Sequence, residues 1–373
     1  MDLNTVDWAA SGRTDTFSAT LVDPFSLRED GAVDFVPRES DVTWASDTDV
    51  LVQATISLVG DVRGSQRDRM VRLKHRVEVG VVSVDETLGT FFVEDPGREC
   101  LDGRAKGKLN CYSALWRMSA DVLADDCMET AGSSAVAACR RLVEYAGGEL
   151  ATDLGVDPQA TLISDEFHQI GENRLEVLRT VAGSMGWRVG VDVDGRITLS
   201  QYAAPKDRPI RYVFEDGRNC IRLSGFTTLT TRSEAVNRVV AWWSREELPD
   251  PDDGTGAWGL SDRYVVDLTE DRPFSFLRTG RRRTHAMQLS EPCSHSALVE
   301  RAEQFLEENA GDAVDVTIKH AQVPGLGIGD VVVLKDSHDS PDPVAWRCEV
   351  IRTSASLTPG MVCETRLRII GEA

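Results

Sequence analysis

Residues 172–205 read ENRLEVLRTVAGSMGWRVGVDVDGRITLSQYAAP, and two hydrophobic periods meet inside them. Leu175, Leu178, Val181, Ala182 and Met185 recur at steps of three and four, a single apolar stripe along a helix. From Trp187 the period becomes two. Trp187, Val189, Val191 and Val193 alternate up to Asp194-Gly195, and Ile197 and Leu199 resume beyond it. Asp-Gly predicts a two-residue type I′ turn, so the stretch reads as a helix packed on a β-hairpin. Upstream, SALWRMSADVLA (113–124) and SSAVAACRRLVEYAGG (133–148, ending in a Gly-Gly stop) predict two further helices. Residues 113–205 are therefore expected to form an α+β domain.

On either side of this domain the pattern is β. TFSATLV (16–22), VLVQATISLVG (50–60), VRLKHRVEVGVVSV (71–84) and TFFVED (90–95) are short apolar or alternating runs, Val77, Val79 and Val81 alternating with Glu78 and Gly80. They predict a first antiparallel β-barrel over 1–112. Beyond Pro205 come IRYVF (210–214), CIRLSGFTTLTT (220–231) and NRVVAWWS (237–244), then the acidic loop ELPDPDDGTG (247–256). One helix follows at 296–311, with Leu298, Ala302, Phe305 and Leu306 on its apolar face. The chain closes on VDVTIKHA, DVVVLKD, AWRCEVIRTSASL and MVCETRLRII. In Thr358-Pro359-Gly360-Met361, Pro at the second place and Gly at the third specify a type II turn between the last two. The predicted fold is mainly β with α+β insertions: two barrels, the second built from 206–245 and 312–373 and split by an inserted domain at 246–311.

The 373 residues carry 41 Lys+Arg and 61 Asp+Glu, a net charge of −20. That acidity excludes a general binder of polyanions. Apolar runs such as VVAWW (239–243) fall far short of the roughly 18 residues of a membrane span, and the acidic N-terminus has no basic-then-apolar signal. Eight cysteines (100, 111, 127, 139, 220, 293, 348, 363) show neither CxxC nor zinc-ligand spacing with histidine, and are expected as free thiols.

Candidate contact residues come from contrast with the acidic background. Arg63, Arg67, Arg69, Arg72, Lys74 and Arg76 crowd RGSQRDRMVRLKHR (63–76), and Arg281, Arg282 and Arg283 form a second cluster. Each reads either as a contact with an acidic neighbour or as a solvated face. Trp243, of the Trp242-Trp243 pair, ends a strand and either meets a partner or packs on the inserted domain; Trp258 sits in a loop without periodic neighbours. GLGIGD (325–330) precedes a strand, so no helix N-terminus follows to hold phosphate; it predicts a tight β-turn. There is no HExxH or GxSxG, and the six histidines are dispersed. No catalytic, cofactor or metal residue is expected.

The element order resembles that of baseplate hub, or tail-associated minor tail, proteins of long-tailed phages. The resemblance is carried by VEVGVVSVDE…GTFFVEDP, by the helix–hairpin 175–205, by NRVVAWWS, and by VPGLGIGDVVVL with the closing LTPG hairpin. It implies a homotrimer whose two barrels per subunit form a pseudo-six-fold ring, adapting a tail tube or distal tail ring to a three-fold tip or fibre. It also implies a lumen that passes the tape-measure protein and DNA, a place in the virion after assembly in the host cytoplasm, and no chemistry. Some family members carry a peptidase or glycan hydrolase after the hub; here the sequence ends at the closing strand, so none is expected. The rival readings are a receptor- or cell-wall-glycan-binding adhesin, for which Trp258 is the candidate, and a cell-wall hydrolase.

Overall fold

The structure is a computed structural model. It describes every residue except 1–5, 9, 61–68, 102–103, 163–164, 216–220, 232–235, 245–260, 270–274, 290–294, 310–312 and 337–343. The first 112 residues form β1 (Thr14–Val22), β2 (Glu29–Ala32), β3 (Asp41–Ala45), β4 (Val52–Ser57), β5 (Met70–Val79), β6 (Val82–Leu101) and β7 (Arg104–Tyr112). Alternation does the work expected of it in β5: Val71, Leu73, His75 and Val77 are buried, while Arg76 and Glu78 are exposed. It stops at Gly80. Val79 pairs with Val82 across a two-residue turn, and Gly80 takes φ +59°, the first position of a type II′ turn. Val81, expected to continue the strand, is fully exposed at the tip.

The α+β stretch follows as α1 (Leu115–Ser119), β8 (Cys127–Glu129), α2 (Ala135–Tyr145), β9 (Glu166–His168), α3 (Arg174–Ser184), β10 (Trp187–Val191) and β11 (Ile197–Gln201). Ser134 caps α2 through Ala137 N–H, and Asn173 caps α3 through Leu175 and Glu176 N–H. Leu175, Leu178 and Val181 of α3 pack with Trp187, Ile197 and Leu199 of the hairpin and with Val136 and Cys139 of α2. Two local expectations change. The first helix ends at Ser119, not 124, because the next residues are taken by another partner: Leu123 N–H donates to Glu172 O, and Arg174 bonds Asp121 and Val122 O. The hairpin loop holds three residues more than a type I′ turn allows between paired strands. Val191 pairs with Ile197, Asp192 accepts Arg196 N–H on its side chain, and among Val193, Asp194 and Gly195 only Gly195 has positive φ (+88°). Asp194 keeps a negative φ, which a type I′ turn forbids; the geometry is a type I turn closed by a glycine bulge.

The remaining strands are β12 (Ile210–Phe214), β13 (Arg222–Thr231), β14 (Arg238–Ser244), β15 (Ser261–Asp267), β16 (Thr284–Gln288), β17 (Ala313–Ala321), β18 (Val331–Asp336), β19 (Val344–Ser356) and β20 (Val362–Glu372), with α4 (Phe276–Thr279) and α5 (His295–Asn309). Met361 N–H donates to Thr358 O at 2.7 Å and Gly360 has φ +82°, the type II turn read from Pro359-Gly360.

Where two separate barrels were expected, thirteen described strands form one mainly antiparallel sheet. Its path runs β2-β1-β5-β6-β7-β4-β3-β19-β20-β17-β13, with β18 also on β19 and β12 parallel to β18. No closed barrel is present among the described residues; the path is open at β2 and β13. The junction is β19. Its first half pairs with β18 (Val344–Glu349) and its second half with β3 (Arg352–Ser356), so one long strand serves both halves of the sheet. The cores cross over in the same way. Ala355, Leu357, Met361 and Cys363 fill the first core beside Ile56, Leu73, Phe91 and Leu109. Trp8, Val77 and Val79 fill the second beside Phe214, Val316, Val332, Val350 and Leu367. The acidic N-terminus thus supplies a core tryptophan, 1% exposed.

The chain divides into two compact units, Met1–Thr227 with Val316–Ala373, and Thr228–Asp315. In the second, β14 lies antiparallel to β15 and parallel to β16. Val239 and Ala241 pack there against Leu298, Ala302 and Leu306 of α5. The sequence reading placed β14 in the second barrel and began the insertion at 246. The apolar stripe of α5 instead recruits this strand, and the unit begins at Thr228.

Candidate functional site

The basic strand face is the first candidate. Alternation sends Arg72, Lys74 and Arg76 outward from β5, but they do not stand free. Arg69 pairs with Asp23 (2.6 Å) and Asp30 (3.0 Å); Arg72 with Glu29 and Asp194 (3.2 Å each); Lys74 with Glu29 (2.6 Å); Arg76 with Glu78 (2.9 Å). Much of the positive charge is met by the chain's own acidic β1–β2 hairpin and by the tip of the β10–β11 loop. Arg63 and Arg67 lie outside the described residues, as does Trp258.

Arg281, Arg282 and Arg283 follow Gly280, whose φ of +64° ends α4. Their backbone is tied to Asn237: its side chain donates to Arg281 O and accepts Arg283 N–H. The Arg282 guanidinium stacks over Phe276 at 4.8 Å. Trp243 packs partly buried on the core of the second unit. The structure therefore places Arg72, Lys74 and Arg76 on one face of β5, with Arg69 just before that strand, and the Arg281–Arg283 cluster and Trp243 in the other compact unit.

A cleft of about 1240 Å³ in the first unit lies among β10, the 87–91 stretch of β6 and the loop 325–330. Its carboxylates are engaged. Glu86 accepts from Gln322 (2.6 Å) and Gly325 N–H (2.7 Å), Asp330 from Gly327 N–H (2.9 Å), Glu349 from Arg208 (2.7 Å) and Asp49 from Arg179 (2.7 Å). The GLGIGD loop is a turn in which Gly325 and Gly327 N–H donate to these carboxylates, and Leu326, Gly329 and Asp330 N–H donate to backbone carbonyls. Among the described residues no group of three His, Cys, Asp or Glu is placed to hold a metal. Burial pushes the thiols of Cys139, Cys348 and Cys363 up to about 12, so they are protonated at neutral pH.

Sequence reasoning missed a buried ionic centre. Asp15 of β1 accepts from Arg13 (2.8 Å) and from Gly360 N–H (2.8 Å), and His75 Nε2 lies 2.8 Å from it. Glu86 Oε2 is 3.9 Å from His75 Nδ1, and Arg13 donates to Gln322 O at 2.8 Å. Burial alone would raise the Asp15 carboxyl. Bonds from His75 and Arg13, the Arg13 charge and the Gly360 N–H outweigh it and hold the group well below the usual range. One signal was available: His75 falls in the inward phase of the β5 alternation. Its partners, far away in sequence, left none.

No family model matches the sequence, and no curated protein matches it. Solved structures do. A tail protein from Neisseria meningitidis MC58 superposes with a TM-score of 0.64 at 11% identity, covering 94% of this chain and 96% of its own. The chain shares the fold of tail proteins. The 43 kDa tail protein of prophage MuSo2 from Shewanella oneidensis (TM-score 0.59, 9% identity, 95% of this chain and 98% of its own covered) and the prophage tail protein gp18 from Listeria monocytogenes EGD-e (0.56, 9%, 94% and 94%) share the same fold.

Proposed function

We propose that the chain is a structural hub of a phage tail, a homotrimer whose two barrel-like sheet halves per subunit make a pseudo-six-fold ring. The observation that carries this reading is the end-to-end likeness to tail proteins, which spans 94% or more of both partners in all three comparisons. On one side the ring meets the tail tube or distal tail protein, and on the other a three-fold tip or fibre. The end of the tape-measure protein sits in its lumen, and DNA later passes through. The net charge of −20 suits such a passage, because a lumen lined with carboxylates repels phosphates and lets DNA slide. The role asks for interfaces and no catalysis, and its place is the tail tip of the virion.

The test is the solution mass of the purified chain by light scattering at two salt concentrations, followed by labelling of the chain in purified tails. A species near three times 41.0 kDa and label at the tail tip are expected. A chain that stays monomeric and is absent from tails overturns the proposal.

A further inference from the structure

The pairing of β8 with β9 belongs to a longer antiparallel ribbon. Val122 bridges Asn173, Gly171 N–H donates to Leu123 O, Ile170 N–H donates to Asp126, and Cys127, Met128 and Glu129 face His168, Phe167 and Glu166. This ribbon is inverted. Its inner face buries Glu129, Glu166 and His168, with Arg141 of α2 paired to Glu129 and His168 standing between Glu166 (3.7 Å) and Glu172 (3.2 Å). Its outer face carries Met128 and Phe167 directly opposite each other, 61% and 53% exposed. Val122 and Ile170 are exposed further along. A lone exposed apolar side chain is ordinary. A cross-strand pair of large ones, backed by buried carboxylates, reverses the usual order of a half-buried ribbon and marks a contact surface.

Charge selects the occupant. Residues 121–130 and 165–174 contain seven carboxylates and one guanidinium, Arg174, which is buried and bonded to Asp121. Asp125, Asp126 and Asp165, within three residues of this pair along the chain, are exposed. A second copy brings a surface of net charge −20, and one meeting this face with its own would set carboxylates against carboxylates. We infer that the outer face of the 121–130/165–174 ribbon docks a different protein of the tail, one that presents apolar side chains flanked by lysine or arginine. This occupant rests on the tail reading above.

The experiment replaces Phe167 with p-benzoylphenylalanine and irradiates assembled tails, with the crosslinked peptide identified by mass spectrometry. Expected is a crosslink to another tail protein, at a segment where Lys or Arg flanks apolar residues. The double substitution Met128→Ser with Phe167→Ser, both exposed, is expected to keep the wild-type unfolding midpoint while its amount in tails falls roughly tenfold or more. Any one of three results overturns the inference: a crosslink to a second copy, no crosslink in tails that contain the chain, or wild-type incorporation of the double variant. If the unsubstituted chain is itself missing from tails, the tail reading fails and takes this occupant with it.

Discussion

His75 Nε2 lies 2.8 Å from Asp15 Oδ1 inside the sheet, and the other Asp15 oxygen accepts Gly360 N–H at 2.8 Å. One carboxylate therefore joins β1, β5 and the turn before β20. Phe17 stacks on the imidazole at 4.7 Å and shields it. The aspartate has three donors, so removing its charge strands an arginine and a histidine out of water.

Asp15→Asn is expected to cost about 3–5 kcal/mol at pH 5–6, the usual consequence of deleting one partner of a buried pair. The pH dependence has two edges. Burial disfavours charge on His75, but bonds to Asp15 and Glu86 raise it overall. Its stabilisation is complete below the unfolded value near 6.5 and is lost as pH rises through the higher folded value. Asp15 is depressed, so its contribution holds above about pH 4 and is lost in stronger acid. Denaturant unfolding of both proteins from pH 3 to 9 should show the largest gap between those edges. A gap independent of pH would contradict the ion pair.

His320 behaves in the opposite sense. Burial pushes it down to about 4. Its Nδ1–H donates to Ala321 O (2.8 Å), which leaves Nε2 to accept from Thr365 Oγ1 (2.9 Å). The folded state therefore refuses a proton that the unfolded state takes up below about 6.5, and stability falls as pH drops from there towards 4. Nitrogen-15 NMR should show the neutral Nδ1–H tautomer at pH 5. An imidazolium at that pH would refute it.

Gly195 and Gly171 both have φ +88°, and an alanine at either bears the left-handed penalty of about 1–2 kcal/mol. They differ in what a Cβ meets: at Gly171 nothing lies within 4 Å, whereas at Gly195 it would come 2.9 Å from Met70 Cε and 3.3 Å from Thr90 Cβ. Gly195→Ala is expected to destabilise more than Gly171→Ala, by about 1 kcal/mol or more, the usual scale of overpacking. Equal unfolding midpoints for the two variants would show that the loop yields freely.

The two helix caps offer an internal comparison. Ser134→Ala removes one bond to a helix N–H and is expected to cost about 1 kcal/mol. Asn173 caps two N–H groups of α3 and also donates to Ser119 O at 2.7 Å, holding the end of α1. Asn173→Ala should therefore cost more, about 2 kcal/mol, by urea unfolding. A smaller loss than at Ser134 would mean that the tie to α1 contributes nothing.

What could be read along the chain was local. The helix over 174–184 and the hairpin after it announce themselves because the residues that pack together are neighbours, so one periodicity hands over to the next. The Pro359-Gly360 turn is legible for the same reason, since it depends on backbone freedom at two adjacent positions. The basic stretch was visible, but its neutralisation by Asp23, Glu29, Asp30 and Asp194 was not, because those partners come from another strand and from loops and carry no spacing signal.

By itself, the sequence determined the mainly β character, the helix over 174–184 with the hairpin after it, and the Pro359-Gly360 turn, all set by periods and propensities within a few residues. Only the tertiary structure decided that β19 serves both halves of one sheet, that β14 joins α5, and that 121–123 leaves its helix for 171–173. It also decided that Asp15 meets His75 and Gly360. Each of these is a pairing between distant segments, chosen by the complementarity of hydrogen-bonding edges and apolar faces once the chain is folded.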